Sequence, residues 1–119
     1  MATTSTLTLY RGSDHSVRVD VVTEDGGTTP QTMTGWALAC VVRRSDGSLV
    51  CNKATGGSGI TIGNGSGTDD RATITIARAD TLNQVAGKDY SWALWRTDDG
   101  SDIPLAYGPC RIVEVAGQV

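Results

Sequence analysis

The chain has 119 residues, enough for one domain with a hydrophobic core and too few for two domains of ordinary size. Hydrophobic residues make up 39% of the sequence and charged residues 19%, a balance that excludes disorder caused by excess charge. The formal net charge is −3 and the ten lysine and arginine residues are scattered, so we expect no nucleic-acid partner.

The N-terminal stretch MATTSTLTLY has no charged residue and no long apolar run. We therefore expect no secretory signal, which needs a basic segment followed by an apolar one. No apolar run elsewhere approaches the ~18 residues that cross a bilayer, so we expect no membrane contact. Residues 1–6 are predicted to form a flexible N-terminal arm, and residues 7–116 are predicted to form one β domain.

A strand, a corner and a second strand open the domain. Leucine alternates with threonine up to Tyr10, and RGSD follows as a corner in which Gly12 can adopt positive φ and Asp14 can bond to its own backbone. SVRVDVVT then alternates valine with polar residues, the period of a half-buried strand. His15, the only histidine, is interpreted as a solvated or strand-starting residue and not as a general base.

The middle of the chain predicts a central strand and a hairpin. WALACVVRR has apolar residues on both faces, which is typical of a strand inside a sheet. SDG marks a hairpin turn, and SLVCNKA is the return strand. TGGSGITIGNGSGTDD is predicted to be a flexible glycine-rich loop around one short strand, and RATITIA alternates as the next strand.

The segment RADTLNQV is the one predicted helical turn, near residues 78–85, with Asp80 as its candidate cap. The acidic stretches GTDD and TDDGSD do not match a calcium-binding loop, and we interpret both as solvated hairpin tips. The helical turn is thus the only interruption expected in a chain of strands.

Two long strands complete the predicted sheet. KDYSWALWRT places Tyr90, Trp92 and Leu94 on one face, and IPLAYGPCRIVEV closes the domain. Pro104 and Pro109 remove hydrogen-bond donors from this last segment, so we expect it to lie at an edge or to break into two pieces.

The spacing of these elements predicts an all-β fold. Short strands recur about every 8–12 residues with turns between them, the pattern of a sandwich or small barrel. We expect a single immunoglobulin-like β-sandwich of seven or eight short antiparallel strands, with a jelly roll or a small barrel as variants. The rings of Trp36, Tyr90 and Trp92 are predicted to lie in the core, where they supply much of the buried area in a chain without phenylalanine.

No motif in the sequence predicts a reaction. There is no G-x-S-x-G, and the glycine-rich loop lacks the G-K-[ST] of a phosphate cradle. Cys40, Cys51 and Cys110 lack the paired spacing of zinc ligands and of a disulfide framework. Cys40 and Cys110 lie inside predicted strands, where we expect each free thiol to behave as a small apolar side chain. We predict no catalytic, cofactor-binding or metal-binding site, and hence no enzyme.

The order of the motifs resembles a group of small bacteriophage virion proteins. The resemblance runs over residues 7–115, through LYRGSDHSVRVDVVTEDGG, MTGWALACVVRRSDGS, ATITIARADTLNQVAGKDYSWALWRTDDG and LAYGPCRIVEV. That group includes capsid decoration (cement) proteins, head fibres and baseplate-type immunoglobulin-like domains. The resemblance implies a non-enzymatic virion protein, assembled in the host cytoplasm, that binds the major capsid protein or other virion proteins and forms homo-oligomers in the particle.

Two alternatives stay open on the sequence. The chain could be a tail, neck or baseplate adaptor, or a carbohydrate-binding module that uses Tyr10, Trp95 or Tyr107 as stacking platforms. If the chain is a virion protein, we expect four of its parts to contact other virion proteins. These are the N-terminal arm, the glycine-rich loop of residues 56–70, the edges of the first and last strands, and the exposed aromatic rings. The predicted interface residues are Ala2, Thr3, Thr4, Leu7, Leu9, Tyr10, Trp95, Tyr107, Arg111 and Val113.

Overall fold

The structure, a computed structural model, describes residues 3–23, 27–56, 59–100 and 103–114. Two β-sheets pack face to face around one hydrophobic core, which confirms the predicted all-β sandwich. No helix in these ranges is long and apolar enough to cross a membrane. The elements, in chain order, are β1 (Thr3–Thr4), β2 (Leu7–Tyr10), β3 (His15–Asp20), β4 (Leu38–Arg44), β5 (Leu49–Ala54), β6 (Ile60–Gly63), β7 (Arg71–Ile76), α1 (Arg78–Thr81), β8 (Gly87–Arg96) and β9 (Ile103–Val113).

The larger sheet has the strand order β1-β9-β8-β4-β5, and β2 also pairs with β9. The smaller sheet has the order β3-β7-β6 and is antiparallel throughout. β4 lies between β8 and β5, as its two apolar faces predict. Its residues Leu38, Cys40 and Val42 point into the core, which lies between the two sheets.

The first two strands differ from the prediction in direction and in role. β1 and β2 both run parallel to β9, so the sandwich is not wholly antiparallel. Thr3 and Thr4, expected in a flexible arm, instead pair with Ala106 and Tyr107 of the same chain. The N-terminal strands therefore form one side of the larger sheet.

The last strand is continuous and lies inside the sheet, so the prediction of an edge or broken strand was wrong. β9 spans 11 residues and pairs with β8 on one side and with β1 and β2 on the other. Pro109 is tolerated because it lies opposite the interruption between β1 and β2, where a ladder donor is not needed. Pro104 precedes the first residue of β9 that pairs with β1, and it lies beside a register shift in β8.

The corner between β2 and β3 is fixed by side chains. Gly12 has a φ of 73°, as expected, and its N–H donates to Oγ1 of the buried Thr81 (2.9 Å). Nε2 of His15 accepts a hydrogen bond from the Tyr10 N–H (2.9 Å), and the rings of Tyr10 and His15 stack. His15 thus begins a strand, as predicted.

Helix α1 has only four residues, fewer than the predicted turn near residues 78–85. Oδ1 of Asp14 accepts from the first helical N–H, that of Arg78 (2.7 Å), instead of bonding only to its own loop. Oδ2 of Asp80 accepts from the N–H of Ala77 (2.8 Å) and pairs with the ammonium of Lys53 (2.8 Å). The corner, the helix and β5 are therefore tied together.

The end of the glycine-rich segment is ordered around a buried carboxylate. The side chain of Asp70, predicted to lie in a solvated hairpin tip, has only 1% of its surface exposed. It accepts hydrogen bonds from the N–H groups of Gly65 (2.6 Å) and Gly67 (3.2 Å) and from Oγ of Ser66 (3.4 Å). The carboxylate, and not water, accepts the hydrogen bonds of these donors. Residues 63–70 therefore form a defined turn where a flexible loop was expected.

These hydrogen bonds predict an acid-sensitive turn. The Gly65 N–H, followed by that of Gly67, lowers the pKa of Asp70 below its ordinary value of 3.8. The charged carboxylate therefore stabilises the fold at neutral pH, and this contribution is lost as the pH falls below 3.8. We expect Asp70→Asn to lower the melting temperature clearly at neutral pH and much less at about pH 3. Circular dichroism melts of both proteins check this, with Asp89→Asn as an exposed control; an equal difference at both pH values would contradict it.

The three cysteines are free and buried, as the sequence predicts. Removal from water raises the pKa of Cys40 and Cys110 to about 12 and that of Cys51 to about 11. Because the thiolate is the reactive form, we expect no labelling of the native protein by a thiol reagent at about pH 8 and full labelling in denaturant. Mass spectrometry of the two samples checks this, and rapid native labelling of any cysteine would contradict it.

Candidate interaction surface

The two faces of the larger sheet differ in what covers them. One face packs against the smaller sheet and supplies the core. The other, which we call the outer face, carries apolar side chains although no element of the described residues covers it. Its central side chains, from β4, β8 and β9, are Val41, Ser91, Ala93, Trp95, Pro104, Tyr107 and Pro109.

The alternation of β8 creates this arrangement. Trp92 and Leu94 point inward and are buried, so Ala93 and Trp95 point outward. Ala93 pairs with Val41 on one side and with Tyr107 on the other, which forms an apolar row across three strands. Neighbouring side chains of such a row contact each other directly.

A groove of about 770 Å³ runs along β8 and β9 on the outer face. The indole of Trp95 and the ring of Tyr107 line it, together with Pro104 and Pro109. Tyr107 has 45% of its surface exposed, whereas Trp95 is half-buried by its neighbours. A second hollow of about 360 Å³ continues from Trp95 to Val41, so the apolar surface is contiguous across the sheet.

Arginines border the groove. Arg43 of β4 donates to the carbonyl oxygen of Gly47 (3.0 Å), and Arg111 of β9 is exposed without an ion pair in the described residues. Arg96, at the far end of β8, pairs with Leu38 and so lies on the opposite face, over the ring of Trp36 at 3.8 Å and paired with Asp98. The outer face therefore combines an apolar centre with the two arginines Arg43 and Arg111 beside it.

Six of the ten predicted interface residues lie on this face, spread from the groove to the corner. Trp95 and Tyr107 lie together in the groove. Thr4 pairs with Tyr107, so its exposed side chain continues the apolar row to the edge of the sheet. The ladder between β2 and β9 places the remaining members towards the corner, where Tyr10 and Arg111 are exposed and Val113 is half-buried.

Two of the other predicted residues, Leu7 and Leu9, do not contribute side chains there. Leu7 and Leu9 point into the core with 8% and 0% of their surface exposed, so neither side chain reaches the outer face. The two leucines alternate with Thr8, so the sequence already indicated that they share one face of the strand. It did not indicate that this face points into the core. The backbone of Thr3 pairs with Ala106, and Ala2 lies outside the described residues.

Sequence reasoning missed the apolar neighbours of Trp95 and Tyr107. Val41 and Ala93 lie on the second apolar face of strands whose first face is already in the core. An outward face that is open to water is normally polar. The excess of apolar residues on the outward face was therefore the sequence signal that could have predicted the groove.

Titratable groups do not gather at the groove. Among the described residues, no three or more histidine, cysteine or acidic side chains are close enough to hold a metal ion. His15 is at the far corner with Nε2 engaged by a backbone amide. No protein-family model and no curated protein matches the chain. The groove is suited to burying apolar surface.

Proposed function

We propose that this protein is a structural protein of a bacteriophage virion, a capsid decoration (cement) protein that binds the major capsid protein through the outer face. The observation that supports the proposal is the contiguous apolar surface around Trp95 and Tyr107. Exposed apolar patches of this kind mark protein-binding sites, and aromatic residues supply much of the binding energy. The motif order, which resembles small phage virion proteins, supports the choice of partner.

The fold is suited to this task because the surface is already ordered. The groove lies on hydrogen-bonded strands, so little conformational entropy is lost on binding. An ordinary interface of about 800 Å² per partner would cover it. Repeated attachment at symmetric positions of a shell then adds many such contacts without requiring a tight single one.

Incorporation into particles tests the proposal. We expect Trp95→Ala and Tyr107→Ala each to lower the affinity for the shell at least ~10-fold, because each removes an aromatic ring from the centre of the contact. The measurement is the amount of each variant that co-sediments with purified particles lacking the wild-type protein. Val85→Ala, which truncates a side chain with 79% of its surface exposed away from the groove, is the matched control.

The outcomes separate the possible sites. Equal binding of all three variants would contradict attachment through the outer face. Mass-spectrometric stoichiometry separates the virion locations, since a coat requires copies in proportion to the capsomers, whereas a tail, neck or baseplate adaptor occurs as one ring. A stoichiometry of one ring per particle would contradict decoration and favour the adaptor function.

The presence of Trp95 and Tyr107 in one groove also supports a second candidate, a carbohydrate-binding module. Aromatic rings present apolar surface with a polar edge, which suits both proteins and sugars. Titration with host surface polysaccharide, followed by tryptophan fluorescence, tests this function. Saturable quenching that Trp95→Ala abolishes would favour the carbohydrate function over the capsid one.

A further inference from the structure

The sandwich is open along one side, between β3 of the smaller sheet and β1 and β2 of the larger sheet. A cleft of about 260 Å³ enters the core there. Its walls include Leu7, Val17, Val19, Trp92 and Leu105, which are apolar side chains from both sheets. Val17 and Val19 point towards the core yet are only half-buried, whereas their partners on β7, Ile74 and Ala72, are fully buried.

The cleft is wedge-shaped because β2 and β3 are joined at one end. At the corner, the N–H of Tyr10 donates to His15, and Leu9 beside it is fully buried. Away from the corner the two strands separate, and the side chains of Leu7 and Val19 face the cleft. The core is therefore closed at the corner and incomplete beyond it.

The border of the cleft is a free strand edge. In the described residues β3 pairs only with β7. The N–H of Val21 donates to the carbonyl oxygen of Asp70 (2.9 Å), so the odd-numbered residues of β3 direct their N–H and C=O groups towards β7. The N–H and C=O groups of Ser16, Arg18 and Asp20 consequently point away from the sheet, and none has a backbone partner within the described ranges.

We propose that this cleft binds an extended segment of another protein, which adds to β3 as a further strand and inserts apolar side chains at alternate positions. Strand addition needs a free row of main-chain groups and pockets for alternate side chains, and the cleft has both. A small-molecule ligand fits less well, because the volume is below the roughly 300–1,000 Å³ of such sites and the free main-chain groups form a row.

The charges beside the cleft define the segment further. Asp20 is paired with Arg71 (2.7 Å), whereas Arg18 is exposed and makes no ion pair in the part of the chain that the structure describes. The unpaired charge at the rim is therefore positive. We infer that the bound segment carries an acidic residue opposite Arg18, between its apolar residues.

The segment comes from a different protein and not from a second copy of this chain. Each described strand is held within one of the two sheets, so a second copy could pair edge to edge with β3 but offers, among these strands, no separate segment to enter the cleft. The inference is independent of the outer face, because the cleft opens at the side of the sandwich and is bordered by β3, which contributes nothing to the groove, although residues of β8 and β9 line both.

Hydrogen exchange with a defined peptide tests the inference. The probe is the acetylated and amidated peptide TVEVTVS, which alternates valine with polar residues and carries one carboxylate. We expect micromolar to submillimolar binding and at least ~10-fold slower exchange of the amides of Ser16, Arg18 and Asp20 when the peptide is bound. The amides of Val17 and Val19, which face β7, are the internal control and should be protected in both states.

Two further comparisons make the test specific. The peptide TVEVPVS keeps the three valines and the carboxylate, and its proline stands at a position whose side chain faces outward, like that of Arg18. In an antiparallel pair this is a position whose N–H would point towards β3, so this peptide should bind at least ~10-fold more weakly. Arg18→Glu alters an exposed side chain and leaves the core intact. It should weaken the binding of TVEVTVS and strengthen the binding of the lysine analogue TVKVTVS. Unchanged exchange of the three amides at millimolar peptide, or equal binding of the proline peptide, would overturn the proposal. Protection that rises with protein concentration alone would assign the cleft to a second copy and overturn it as well.

Discussion

Replacing Gly108 by alanine is expected to destabilise the protein by about 3 kcal/mol, the upper part of the range for overpacked sites. A Cβ at this position would lie 1.9 Å from the carbonyl oxygen of Ser5, far inside the 3.0 Å that Cβ contacts respect. Ser5 cannot simply move aside. Its carbonyl oxygen accepts from Nε1 of Trp92 (3.0 Å), and its N–H donates to the carbonyl oxygen of Tyr107 (2.9 Å). The new methyl group therefore displaces the N-terminal strand from β9.

Gly63→Ala is the matched control for this substitution. Gly63 ends β6 and has no atom within 4 Å of the position of an added Cβ, so the same chemical change meets open space. We expect its free energy of unfolding to change by no more than about 0.5 kcal/mol. Urea denaturation followed by circular dichroism measures both variants. If Gly108→Ala unfolds at the same urea concentration as the control, the close approach of Ser5 to β9 is not present in solution.

Most strands of this protein could be predicted because they have one buried face. In β7, for example, Ala72, Ile74 and Ile76 alternate with threonines, and this period of two follows directly from burial on one side. The same pattern marked β3 and β8. Local alternation thus fixed the fold class, because it depends only on residues that are close in sequence.

Strand direction and pairing could not be predicted in the same way. Nothing in LTLY distinguishes a strand parallel to β9 from an antiparallel one, because alternation is the same in both directions. The prolines of β9 were misleading for a related reason. Pro109 excludes a strand from the sheet interior only if a partner needs its N–H, and the partner opposite it is interrupted between β1 and β2.

The candidate surface was partly predictable. Trp95 and Tyr107 could be selected because a strand with one face in the core must present its other aromatic residues outward. Their meeting in one groove depends on the register between β8 and β9, including a shift at Leu94, which no local pattern reports. The turn at Asp70 escaped prediction because an acidic residue after glycine indicates a solvated loop unless its partners are known.

Leu9→Ala is expected to lower the free energy of unfolding by about 3 kcal/mol, because it removes a fully buried side chain from a core that can only partly collapse. Thr8→Ala, in the same strand and on its exposed face, should cost less than about 0.5 kcal/mol. Chemical denaturation of both variants measures the difference. A flexible N-terminal segment would instead give two equally small effects.

The double variant Leu9→Ala/Gly108→Ala tests whether both residues act through the same strand. Leu9 stabilises the protein only while β2 lies against β9, and alanine at position 108 removes part of that docking. The loss in the double variant should therefore be smaller than the sum of the two single losses, by about 1 kcal/mol or more. Additive losses would mean that β2 stays docked when the chain at Ser5 is displaced, so that β1 and β2 behave as separate strands and not as one interrupted strand.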